Sequence, residues 1–493
     1  MRRSRAIAGL AAAAALAAAA CAPDEGGVRE AGVGQAGVRE AVPPEAPAPP
    51  NVVLVVGDGF GVGAWSMARV VAALDGAELT MDRPDAIGFL EPRALDALVT
   101  DSAAAATAWS TGRLAPRFRV GFPGEEGSSL FERLRSAGRA CGFVSTARVT
   151  HYTLAPFYAR AADRRAENAI AEQLVAAAPD VAIGGGARHF RPTDAGGKRV
   201  DGRDLLAEAE RAGTAVLRRI DGPLPEDAPV LAVLAESHLP HEVDRAPGEP
   251  DLAELAVAAV RRLRAAGRPW FLLVEAARID HAGHDHDGPG VVRNTLALDR
   301  ALAALLEETD RARTLVVLAA DHETANPTFL EYAHPESLGV VTASVEAIEE
   351  RIFEGSRWHG TPRALEARAL PVLDECARHT GLEAEDLDRL LAAADVYERR
   401  MAIGTALSRR FGISFIPWED HRRSDAVHGH NGDLVPVRAW GARAEEVRGV
   451  RDHGALGRWL ADVLALPPAA DSGGTAEAES GTARRIDTTR GGG

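Results

Sequence analysis

Between residues 50 and 442, short runs of β-branched and aliphatic residues alternate with longer Ala/Leu/Glu/Arg stretches of helical spacing, and this alternation leaves few folds open. The apolar runs are Val52–Val56, Gly142–Ser145, Val181–Ile183, Trp270–Val274, Leu315–Leu318 and Val435–Trp440. Helical spacing marks Ala166–Ala178, Leu252–Ala266 and Val291–Thr309. Strands that are apolar throughout must be buried on both faces, which a parallel sheet with helices on each side achieves. The expected fold is therefore α/β, a three-layer α/β/α sandwich around a mainly parallel central sheet. Ligands of such folds gather at the carboxyl ends of the strands. The roughly one hundred residues from Asn326 to Asp425 separate two core strands, too long for a plain loop. With helical segments such as Leu382–Met401, they read as an inserted subdomain, residues 326–425. Residues 188–250 read as a smaller insertion, and there is no internal repeat.

The formal net charge is 56 − 71 = −15, which speaks against a general nucleic-acid binder, since such proteins carry a basic face. Lys198 is the sole lysine, in Gly-Gly-Lys-Arg with no Ser or Thr after it. That excludes a P-loop and leaves no Schiff-base lysine.

The ends have a different character. Arg2, Arg3 and Arg5 precede an apolar run from Ala6 to Ala20 and then Cys21, the pattern of a secretory signal of lipoprotein type over residues 1–21. Residues 22–50 are Pro/Gly/Ala/Glu-rich and read as a disordered linker, and 468–493 as a disordered tail. The chain is thus expected to be exported, to the periplasm or the cell surface, and held at a bacterial membrane only through a lipid on Cys21. Cys141 and Cys376 are left either to pair or to be buried separately.

Chemistry-bearing residues cluster at strand ends. Gly57-Asp58-Gly59 follows the first strand and reads either as a tight turn or as a carboxylate poised for a metal. Thr100-Asp101-Ser102 opens an alanine-rich helix, so Ser102 is an N-terminal capping element or a nucleophile. From Glu275 to Asp287 lie four carboxylates and three imidazoles, and Asp280 and His284 have the i, i+4 spacing that puts two ligands on one helical turn. Asp321-His322 follows a further strand, and His428-Gly-His430-Asn-Gly-Asp433 precedes the last one. Three such clusters beside strands of one parallel sheet would meet at one edge.

Together these motifs resemble the alkaline phosphatases, which are metal-dependent phosphomonoesterases with a serine nucleophile. The matching stretches are Gly57-Asp58-Gly59, Thr100-Asp101-Ser102-Ala103-Ala104, Thr150-His151-Tyr152-Thr153, Val274-Glu275 through His284, Ala320-Asp321-His322-Glu323 and His430-Asn431-Gly432. The resemblance implies hydrolysis of phosphate monoesters to alcohol and phosphate through a phosphoserine on Ser102. It implies two Zn²⁺, one held by Asp280, His284 and His430 and one by Asp58, Asp321 and His322, and one Mg²⁺ shared by Asp58, Thr153 and Glu275. It further implies that Arg164, eleven residues after Thr153, grips the substrate phosphate, with Arg165 beside it as the alternative. His430 is preferred to His428. The 326–425 segment resembles the family's crown-like insertion in position. The implied partners are small phosphomonoesters, with a homodimer allowed. Ala276-Ala277 and His-Asn-Gly-Asp depart from the commoner pattern without removing a ligand. Hydrolysis of phosphodiesters, phosphonates or sulfate esters is the rival enzymatic reading, and a metal- or phosphate-binding protein the non-enzymatic one.

Overall fold

The computed structural model describes residues 50–467 apart from 123, 125–128, 356–357, 379–380 and 418–428. The signal segment with Cys21, most of the linker, the tail and His428 lie outside the described residues. Fourteen strands follow in chain order: β1 (Asn51–Gly57), β2 (Ala86–Glu91), β3 (Ala140–Arg148), β4 (Val181–Gly185), β5 (Ala215–Leu217), β6 (Val230–Val233), β7 (Trp270–Ala276), β8 (Thr314–Ala320), β9 (Glu323–Thr324), β10 (Thr328–Phe329), β11 (Ile413–Ser414), β12 (His430–Asn431), β13 (Val435–Gly441) and β14 (Gly449–Asp452). Ten of them form one sheet in the order β14-β2-β13-β8-β1-β7-β3-β4-β6-β5. Helices cover both faces, as the continuous burial of β1, β7 and β8 requires. β1 runs parallel to β7 and β8, with Val52 opposite Phe271 and Leu315. Only β13 breaks the pattern, pairing antiparallel with β8 and β2.

Two sequence expectations need correction. Residues 188–250 are not an insertion, because β5 and β6 lie within them and extend the sheet edge next to β4. β5, three residues between Thr214 and Arg218, carries almost no signal, whereas β6 is the apolar run Val-Leu-Ala-Val, no shorter than others that mark strands. The expected helix over Leu382–Met401 is two helices, Ala384–Ala392 and Val396–Arg410. Asp395 starts the second by accepting a hydrogen bond from the Glu398 N–H at 2.9 Å.

The 326–425 segment builds a core of its own. Leu338, Ile348, Ile352, Leu365, Leu373 and Ile403 are all buried there, and the cluster is completed by Met67 and Val292 from the sheet's covering helices. Cys141 lies in the main core and Cys376 in this second one; both are buried free thiols, so they do not pair.

The helix Ser102–Thr111 is buried along its whole length, which explains its alanine content, because small side chains let neighbours approach on every side. His453–Val463 packs against it, and a Cβ on Gly457 would lie 2.4 Å from the Ala108 carbonyl oxygen. Gly457→Ala is therefore expected to lower the melting temperature by several degrees, overpacking of this kind costing about 1–3 kcal/mol. Thermal unfolding of the purified variant measures it.

Candidate active site

The carboxyl ends of β1, β7 and β8 deliver the chemistry. β1 ends at Gly57 and hands the chain to Asp58, which is completely buried. Gly59 has φ +67°, and a Cβ there would sit 2.7 Å from the Cα of Asp280. Only glycine allows the turn after β1 to press against the helix Arg278–His284 that follows β7. This contact brings the first and third motifs together. Asp321 Oδ1, just past β8, accepts hydrogen bonds from the N–H groups of Gly59 at 3.1 Å and His322 at 3.0 Å, tying the β8 motif to the same turn.

Two ligand sets result. In one, Asp280 Oδ1 lies 3.3 Å from His284 Nε2 and 3.7 Å from His430 Nε2, and the two imidazole Nε2 atoms are 3.3 Å apart. Corners about 3.3 Å apart are what a tetrahedral ion with bonds of about 2.0–2.1 Å to nitrogen and oxygen requires. In the other, His322 Nε2 is 3.3 Å from Asp321 Oδ2 and 3.7 Å from Asp58 Oδ1. His322 also stacks on His430 with ring centroids 3.6 Å apart, so the two sets adjoin, and His322 is within reach of both. A third group joins Asp58 to Glu275 and His151, with the Thr153 hydroxyl buried and lacking a partner.

These residues fit cations and little else. Both oxygens of Asp58, Asp321 Oδ2, Glu275 Oε1 and Thr153 Oγ1 are buried with no hydrogen-bond partner, a costly state for any of them. Burial first, and then the neighbouring Asp321, Asp280 and Glu275 charges, push the Asp58 carboxyl well above the usual range. Asp321 is pushed up to about 8 and Glu275 is raised, each chiefly by burial. Burial holds His430 down at about 3 and His322 well below its ordinary value, so both imidazoles are neutral and offer lone pairs. Clustered carboxylates and neutral imidazoles with unmet lone pairs form a metal-binding donor set, and His with Asp suits Zn²⁺ while a carboxylate–hydroxyl group suits a harder ion.

Ser102 opens its helix beside the second set. Its hydroxyl lies 3.2 Å from His322 Nε2, and Asp101 caps the helix by accepting from the Ala104 N–H at 3.2 Å. The sequence left cap and nucleophile as alternatives for Ser102; the capping side chain is that of Asp101. Asp101 also receives Arg164 Nη1 at 2.8 Å, and the guanidinium lies over the Tyr152 ring at 4.3 Å. Arg165 points to solvent on Asp163. Ser102, Arg164, Asp280, His284 and His430 line one cavity of about 910 Å³. A smaller cavity of about 390 Å³ contains none of these groups and shares only Arg278 with the larger one.

Several contributors carry no motif signal. Thr324 Oγ1 donates to Asp280, and Ser145 Oγ donates to Glu275, orienting carboxylates much as outer partners orient metal ligands. Arg148, Arg188, Ser237 and His238, and from the 326–425 segment Tyr397 and Arg400, also line the cavity. No spacing rule connects them to Ser102; only the folded sheet does.

An α/β sandwich that gathers two adjoining Asp/His sets, a third carboxylate group and a helix-start serine at its strand ends defines a metal-dependent hydrolase. Residues 50–466 match the alkaline phosphatase family model, and the chain belongs to that family. It is 36% identical over 358 residues to streptomycin-6-phosphate phosphatase of Streptomyces griseus, covering 61% of this chain and 79% of the relative. It is 28% identical over 427 residues to alkaline phosphatase 3 of Bacillus subtilis, covering 82% and 86%. The alkaline phosphatase crystal structure from Thermus thermophilus superposes with a TM-score of 0.74 at 26% identity, covering 85% of this chain and 92% of that one. The protein is a phosphatase that hydrolyses phosphate monoesters and depends on metal ions.

Proposed function

We propose that the reaction proceeds through a phosphoserine on Ser102 at a site of two Zn²⁺ and one Mg²⁺. Asp280, His284 and His430 hold one zinc and Asp58, Asp321 and His322 the other, while Asp58, Thr153 and Glu275 hold magnesium. The observation that carries this reading is the placement of the Ser102 hydroxyl 3.2 Å from His322 Nε2, beside buried carboxylates that lack partners. Bound divalent cations would supply the positive charge that favours the serine alkoxide and offsets charge on the phosphoryl oxygens.

The chain's own residues do the rest. The N-terminal end of the Ser102–Thr111 helix favours negative charge at Ser102 Oγ. Arg164, fixed by Asp101 on one edge and by the Tyr152 ring on its face, offers its remaining N–H groups as parallel donors to two phosphoryl oxygens. Held so, phosphorus faces Ser102 Oγ. The Oγ–P bond forms as the bond to the ester oxygen breaks, and the departing alcohol takes up a proton. Water then attacks phosphorus from the side the alcohol left, opposite Ser102 Oγ; the Oγ–P bond breaks, the serine oxygen regains a proton and phosphate is released. Because these contacts engage the phosphoryl group, many leaving alcohols are accepted.

The test is turnover of a phosphomonoester, a phosphodiester and a sulfate ester by protein loaded with zinc and magnesium. The monoester is expected to be preferred by at least about a hundredfold, since Arg164 and Ser102 address a terminal phosphoryl group; equal or better diester or sulfate turnover contradicts the reading. Arg164→Ala is expected to lower kcat/KM by roughly 10- to 100-fold, the range for losing hydrogen bonds to a charged group. Arg165→Ala should leave it unchanged, and steady-state kinetics on both variants checks the assignment.

Export and a lipid on Cys21 are part of the same proposal, supported by the basic start and apolar run before that cysteine. Intact-mass analysis of membrane-extracted protein should find the mature chain starting at acylated Cys21, whereas a soluble chain starting elsewhere would refute anchoring. No helix among the described residues is long and apolar enough to cross a membrane.

A further inference from the structure

The catalytic cavity extends well beyond the groups that hold the reacting phosphate. Past Arg164 its wall includes Arg148, Arg188, His238, Arg278 and His281, with the Glu346 carboxylate already paired to Arg278 and Arg400. Arg148 is buried and forked on Glu167, with Nε and Nη2 each donating at 2.7 Å. Its remaining Nη1 donates to His238 Nε2. A guanidinium can only donate, so His238 Nε2 accepts and the neutral ring carries its proton on Nδ1. That Nδ1 is buried and has no partner. The same logic holds across the cavity, where Arg278 Nη1 donates to His281 Nδ1 at 2.7 Å and leaves the ring proton on Nε2. The His238 and His281 rings meet edge to face, centroids 4.3 Å apart.

Arg188 is half-buried beside them. Its Nε donates to His189 Nε2 at 3.3 Å, and among the described residues no carboxylate forms an ion pair with it. The His238 Nδ1–H and the Arg188 guanidinium are thus left without a carboxylate partner among the described residues. His151, His238 and His281 are close enough together to suggest a cation site. However, His238 Nε2 is taken by Arg148 and His281 Nδ1 by Arg278, so two of the three rings already spend their lone pairs on guanidiniums. Donors and positive charge without an acceptor call for an oxyanion.

We propose that Arg188, His238 and His281 form a second oxyanion subsite, and that the favoured substrates are phosphomonoesters whose leaving group carries a further anionic group, either carboxylate or phosphate. This inference rests on the phosphomonoesterase reading of the same cavity and deepens it. The catalytic phosphoryl group occupies Ser102 and Arg164, and the second anion reaches the far wall, where it meets the unpartnered His238 Nδ1–H.

The experiment compares ethyl phosphate, phosphoglycolate and ethylene glycol bisphosphate as substrates of the metal-loaded enzyme. It also measures binding of the inert pair ethylphosphonate and phosphonoacetate by calorimetry. One or both doubly anionic substrates are expected to exceed ethyl phosphate by about tenfold or more in kcat/KM, and which of them does identifies the anion as carboxylate or phosphate. Phosphonoacetate is expected to bind more tightly than ethylphosphonate by a similar factor. Arg188→Gln and His238→Gln should each cut the preference several-fold while ethyl phosphate kinetics stay within about twofold of wild type. Absence of any preference in the wild type, or an equal fall for all substrates in the variants, overturns the subsite. If ethyl phosphate is not turned over at all, the catalytic reading fails by itself, and the phosphonate ratio still decides the subsite.

Discussion

Ser102→Ala is expected to reduce phosphomonoester turnover by about a thousandfold or more while leaving the fold and metal content intact, the scale on which loss of a nucleophile acts. The fold should survive because the residue is small and the cap is Asp101, not Ser102; the Asp101 carboxylate accepts from the Ala104 N–H whatever residue stands at 102. Neighbouring alanines already fill the helix, so an added alanine keeps local packing. What disappears is the hydroxyl beside His322 Nε2. Rapid acid quenching with labelled substrate should find phosphorylated Ser102 in the wild type and none in the variant. Near-normal turnover at matched metal content would show that another group attacks phosphorus.

The second large effect is that of metal removal. Chelation is expected to abolish activity, zinc to restore most of it, and magnesium to add to the zinc-restored rate. Stability should fall as well. Without cations both Asp58 oxygens, Asp321 Oδ2 and Glu275 Oε1 are left buried without partners, whereas ions that bind only the folded chain stabilise it by about 4 kcal/mol at a thousand times their dissociation constant. Differential scanning calorimetry of stripped and reloaded protein should therefore show a higher melting temperature with zinc. His430→Ala should abolish one equivalent of tightly bound zinc, because His430 Nε2 faces both His284 Nε2 and Asp280. Full activity after exhaustive chelation, confirmed by metal analysis, would contradict this account.

Much of this site could be read from the chain because parallel sheets bring strand ends together. Asp58, Glu275 and Asp321 each lie at or just past the end of an apolar run, and β1, β7 and β8 are adjacent in the sheet. Their convergence therefore followed from sequence position. Arg164 and Arg165 were harder to separate, since both follow Thr153 at nearly the same distance. The structure separates them through Asp101, which draws Arg164 inward, and Asp163, which holds Arg165 at the surface. The far wall of the cavity was not legible. Arg148 ends a strand, Arg188 lies in a short turn after β4, and His238 in a loop after β6, so nothing local marks them as neighbours. β5 is three residues between Thr214 and Arg218 and shows no period, whereas β6, Val-Leu-Ala-Val, is an apolar run like those that mark the other strands.

The central claim is that phosphorus is transferred first to Ser102 and only then to water. Hydrolysis, in isotopically labelled water, of a phosphorothioate monoester made chiral at phosphorus with oxygen isotopes tests it directly, because each in-line displacement inverts configuration. Two displacements through Ser102 predict net retention in the released thiophosphate. Net inversion would mean that water attacks the substrate in a single step, and would contradict the account.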